Sequence, residues 1–113
     1  MSKRIQRVNQ LIKKELGRIL LREGDFPKET LVTLARVETS VDLREAKVWI
    51  SVFPENQTTE VIQILNREIY NFQQKLNKIL QMRPVPKIKF LIETKAKEAA
   101  RIEELLEKIK KSD

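Results

Sequence analysis

The side chains here that can do chemistry are cations. Arg7, Lys14 and Arg18 recur along the first twenty residues, and Lys75, Lys78, Arg83 and Lys87 gather around a second stretch. Lysine and arginine in such groups neutralise phosphates, and they are the residue types that hold a polyanion. The side chains of the commonest alternatives are missing. There is no histidine and no cysteine, so the usual general base, the thiolate nucleophile, a disulfide and a thiolate metal site are all excluded. The only glycines, Gly17 and Gly24, make no phosphate-binding loop, and no serine sits in a glycine-flanked elbow. An enzyme built from carboxylates and lysines stays open as a rival, but the sequence points to a binding protein that is not an enzyme and that needs no cofactor or metal.

The net charge of +7 and the pI near 9.8 are unevenly distributed. Residues 1–22 hold seven cations against Glu15 alone, and residues 64–91 hold six against Glu68 alone. Residues 23–63 carry eight acidic and four basic side chains, and residues 92–113 carry six of each. Two basic regions flanking an acidic one create a directional field suited to a nucleic acid. The plainer alternative is a basic protein whose cations only solvate its surface.

The elements that must position these groups follow from hydropathy. Ile5, Val8, Ile12, Leu16 and Ile19 recur at helical spacing, so residues 3–22 form an amphipathic helix with Lys3, Arg7, Lys14 and Arg18 opposite the stripe and Gly24 near its end. The charged face carries one sign, whereas a merely solvating face mixes signs for pairing. A membrane-surface role competes poorly, because the apolar stripe is needed for the core. LVTLARVETS reads as a strand whose parity switches between Leu34 and Val37, which requires a bulge near Ala35–Arg36. Ala46, Val48, Ile50 and Val52 alternate in a second strand, expected to pair antiparallel with the first. Trp49 and Phe53 then lie on the other face beside Lys47, where an aromatic either stacks on a base or packs on lysine stems.

Thr58 is the expected cap of the next helix. Leu65, Ile69, Phe72, Leu76, Ile79 and Leu80 form its stripe, with Asn71, Gln74, Lys75 and Lys78 toward solvent. Pro84 and Pro86 stop it, and Ile88, Phe90 and Ile92 alternate in a third strand. No Gly or Pro lies between Glu55 and Arg83, so local propensity alone predicts one long helix there. Residues 95–111 are expected to form a last amphipathic helix of balanced charge. The order is that of an α+β, two-layer single domain over residues 1–113, with helices on one face of a three-stranded sheet. The chain has no run of about 18 apolar residues and no signal-peptide core, so a soluble cytoplasmic protein without membrane contact is expected.

Four segments in this order resemble the bacterial ribosome-binding factor A family: RIQRVNQLIKKELGRIL, VTLARVETSVDLREAKVWISV, LQMRPVPKIKF, and the pattern around Arg101, Ile102, Leu105 and Leu106. VETSVDLREAKV is the most specific of them. The resemblance implies a type II KH-like fold, helix-strand-strand-helix-(kink)-helix-strand plus a C-terminal helix. It implies association with the small (30S) ribosomal subunit late in its assembly, support of 16S rRNA 5′-end maturation, and a role in growth in the cold. The protein is expected to be monomeric when free. The family's helix kink is marked by Ala-x-Gly, and Ile69, Tyr70 and Asn71 stand at the matching positions. The bulkier Ile69 and Tyr70 depart from that pattern, while Asn71 suits a left-handed backbone. A stably bound ribosomal or hibernation-type RNA-binding protein is the alternative. The RNA-contacting residues expected are Arg7, Lys14, Arg18, Lys75, Lys78, Arg83 and Lys87.

Overall fold

The computed structural model describes residues 3–93. The expected helix over 95–111 lies outside the described residues. The element order is α1 (Lys3–Glu23), β1 (Leu31–Thr39), β2 (Glu45–Phe53), a 3-10 turn (Glu55–Gln57), α2 (Thr58–Arg67), α3 (Ile69–Ile79) and β3 (Lys87–Ile92). The sheet order is β1-β2-β3, with β1 antiparallel and β3 parallel to β2. The parallel pair requires a crossover, which α2 and α3 supply.

The helices cover one face of this sheet. Val8, Ile12, Leu16, Ile19 and Leu20 of α1 are buried against Val37, Ala46, Val48, Ile50 and Val52 of the first two strands. Phe72 and Leu76 of α3, Val61 and Leu65 of α2, and Ile88 and Phe90 of β3 complete the core. The Phe72 and Phe90 rings meet edge to face, 6.2 Å apart. The expected bulge is present. Leu34 pairs with Ile50 and Arg36 with Trp49, so Ala35 is the extra residue and the parity of β1 switches there. Asn9 ties the two layers together, its Oδ1 accepting the Thr39 backbone N–H at 2.8 Å.

The β1–β2 turn is held by side chains. The Ser40 hydroxyl donates to Asp42 at 2.6 Å, Asp42 also accepts the Arg44 backbone N–H, and Ser40 Oγ accepts the Glu45 N–H at 3.0 Å. The Ser40 hydrogen bond, followed by that of the Arg44 backbone, holds the Asp42 carboxyl below its usual pKa. Gly24 ends α1 by close approach, because a Cβ there would lie 2.2 Å from the Phe26 ring and 2.5 Å from the Leu20 carbonyl.

Several expectations are corrected. The long helical segment is two helices, as the family resemblance implies and local propensity does not; what shifts is the position of the break, which is centred on Glu68 (φ −97°, ψ 5°), just before Ile69, Tyr70 and Asn71, which open α3. Asn71 is not among the described residues with positive φ. The physical reason lies in the stripe. At about 100° per residue, position 68 of an unbroken helix falls between the buried positions 64 and 61, toward one side of the buried face. A glutamate there would take its carboxylate into the core, at a cost of several kcal/mol. The break leaves its side chain 44% exposed and beside Arg67, 3.8 Å away. Ile79 is exposed rather than buried, because α3 ends on it and the extended Leu80 takes the core position. The cap of α2 is Gln57, without a side-chain hydrogen bond, since the 3-10 turn carries the chain directly into Thr58.

Candidate nucleic-acid interface

Arg7, Lys14 and Arg18 all lie exposed on α1. Their spacing of seven and four residues sets them on one line, which at about 1.5 Å per residue runs roughly 16 Å along the helix, opposite the buried stripe. Arg18 is 3.8 Å from Glu15, and Arg7 and Lys14 have no ion pair among the described residues.

The second group is built around the corner that joins α3 to β3. Lys78 sits in the last turn of α3, Arg83 in the corner, and Lys87 at the first residue of β3, all exposed. The corner is fastened by Gln73, a residue the periodicity does not mark. Its Oε1 accepts the Ile88 backbone N–H at 2.8 Å, and its Nε2 donates to the Pro86 carbonyl at 3.1 Å and to Asn77 Oδ1 at 2.9 Å. The Lys87 N–H donates to the Arg44 carbonyl at 2.8 Å, which pins the strand start beside the β1–β2 turn. Arg83 and Lys87 are thus held on a fastened segment, which lowers the ordering cost of a ligand contact.

Lys75 belongs to neither group. It is ion-paired with Glu23 at the end of α1, and only 36% of its side chain is exposed. It still lies partly toward solvent, but unlike Lys78 it is paired, because α1 packs against α3 there and brings a carboxylate to it. Trp49 is likewise covered: the Arg36 guanidinium lies 4.3 Å from its ring centroid. Arg36 also pairs with Glu38 and, at 3.2 Å, with the buried carboxylate of Glu93. This ring face is therefore occupied by the protein's own cation rather than presented to a base.

Among the described residues no group of three or more His, Cys, Asp or Glu is placed to hold a metal, and no helix is long and apolar enough to cross a membrane. The exposed cations of this α+β domain form two groups, a line on one helix and a cluster at a helix–strand corner.

Comparison with known proteins identifies the family. The family model described as ribosome-binding factor A matches residues 4–106. A ribosome-binding factor A of Thermodesulfovibrio yellowstonii is 36% identical over 110 residues, covering 97% of this chain and 93% of that protein. The crystal structure of the Thermus thermophilus ribosome-binding factor A superposes with a TM-score of 0.68 at 22% identity, over 78% of this chain and 94% of that one. Coordinates of the Thermus thermophilus factor fitted into a cryo-EM map of its 30S complex give a TM-score of 0.62 at 24% identity, over 74% and 88% of the chains. This chain belongs to the ribosome-binding factor A family.

Proposed function

We propose that this protein binds the small ribosomal subunit through 16S rRNA phosphates, acts late in subunit assembly and supports maturation of the 16S rRNA 5′ end. The observation that carries the reading is the family match across residues 4–106. The exposed cations supply the physical means. Arg7, Lys14 and Arg18 on α1, and Lys78, Arg83 and Lys87 at the corner, are exposed and can replace counterions on an RNA backbone, a contact that positions the protein without reading sequence. Lys75 acts indirectly, by holding α1 to α3. The protein works as a monomer in the cytoplasm. Sedimentation tests the proposal. The protein should travel with free small subunits and be absent from translating ribosomes, and cells lacking it should accumulate 16S rRNA with an unprocessed 5′ end. Equal association with translating ribosomes would refute a transient role in assembly.

A further inference from the structure

A groove of about 490 Å³ runs between α1 and the outer edge of β1. Its wall is apolar, with Leu20, Phe26, Leu31 and Val32 among the lining residues, and Lys13, Lys14 and Arg18 also line it. Two lining leucines are open to solvent, Leu21 at 85% and Leu31 at 64%. Gly17 lines the same groove from the middle of α1. A glycine inside a helix weakens it, and it is usually explained by a neighbour that leaves no room for a Cβ. Here a Cβ would meet nothing within 4 Å, so internal packing does not account for it. What the glycine leaves is room for a backbone approaching from outside.

We infer that this groove takes a short single-stranded stretch of RNA, its bases against the apolar wall and its phosphates on Lys13, Lys14 and Arg18. The inference rests on the RNA-binding reading above and adds to it a second mode of contact, one that distinguishes single strands from duplex. Charge complementarity selects the ligand, since the groove opens beside the most basic part of the chain, where Glu15 is the only acidic residue among the first 22. A duplex keeps its bases stacked inside and cannot offer their faces to an apolar wall, whereas an unpaired strand can. The edge of β1 favours RNA over an added protein strand. The bulge between Leu34 and Arg36 interrupts the edge, leaving the regular run Leu31–Leu34. That is shorter than a strand of the usual five or six residues, but long enough for its outward N–H and C=O groups to meet one or two base edges.

The test uses the full chain, a single-stranded RNA decamer of mixed sequence, a duplex of the same length, and purified small subunits. Gly17→Leu fills the groove with a good helix former, and circular dichroism checks that the fold is kept. The variant should lose about tenfold in affinity for the decamer, the contribution of roughly one stacked base, while its duplex affinity changes less than about twofold. Gly17→Ala should melt at a higher temperature than the wild type yet bind the decamer less tightly, an opposition that a purely structural glycine does not produce. Unchanged decamer binding by Gly17→Leu would overturn the inference. So would displacement of the decamer by an acidic peptide of alternating valine and glutamate, which would assign the groove to a protein strand. Wild-type protein that binds small subunits but not the decamer removes the groove proposal alone. Wild-type protein that binds neither removes the RNA-binding reading with it.

Discussion

Salt dependence tests the proposal that six of the predicted cations meet RNA while Lys75 holds the fold. Six of the seven predicted cations are exposed: Arg7, Lys14, Arg18, Lys78, Arg83 and Lys87. The seventh, Lys75, is engaged by Glu23. With a slope of about −0.7 to −0.9 per phosphate neutralised, six contacts give log K against log salt a slope of roughly −4 to −5. Between 50 and 200 mM salt, the wild type should lose about 250- to 1,000-fold in affinity. Neutralising the corner with Lys78→Gln, Arg83→Gln and Lys87→Gln together leaves three contacts and a slope of roughly −2 to −3. The same change of salt should then cost the variant only about 20- to 50-fold. Lys75→Gln should leave the slope within about 0.5 of wild type, because its ammonium neutralises a carboxylate and not a phosphate. Its effect is on stability instead, and it is small: the pair is partly exposed, with 36% and 29% of the two side chains accessible, so its loss costs under about 1 kcal/mol. Fluorescence anisotropy on a labelled 16S rRNA fragment, repeated at four or five salt concentrations, measures all three slopes. A Lys75→Gln slope shallower than the wild type by about 0.7 to 0.9, the loss of one phosphate contact, would refute the assignment of Lys75 to the α1–α3 contact.

Three further changes test the fold. Arg36→Ala removes the guanidinium beside the buried Glu93 carboxylate and over Trp49, and should cost about 2 kcal/mol in urea unfolding, with a change in tryptophan fluorescence. Leu16→Ala, at a fully buried position between α1 and the sheet, should cost about 3 kcal/mol and lower the melting temperature by more than 10 °C. Asp42 carries a depressed pKa in the fold, so its contribution is present above the unfolded carboxylate value and is lost as pH falls through the folded value. Asp42→Asn should therefore flatten the decline of stability below about pH 4, measured by unfolding at pH 3 and pH 6, and leave RNA binding at neutral pH unchanged.

Periodicity determined much of this protein without help from the fold. The spacing of Val8, Ile12, Leu16 and Ile19 sets which side of α1 is buried, and so places Arg7, Lys14 and Arg18 outside. The parity switch between Leu34 and Val37 marks the bulge, and the alternation of β2 and β3 assigns their inner faces. The break at Glu68 was also legible in principle, as a glutamate standing on an apolar stripe. The search for Gly or Pro passes over it, because the penalty comes from burial and not from backbone propensity. Other features depended on which elements cross. Lys75 meets Glu23 over 52 residues of sequence because α1 lies against α3. Arg36 covers Trp49 because the bulge turns it to the outer face at that register. Gln73 fastens Pro86 and Ile88 because the corner folds back beside its helix. The spacing of residues along one element reports which face is wet, since burial repeats with that element's own geometry. The partner of a charged or polar side chain is set by the element packed against it, and that is decided only when the layers close.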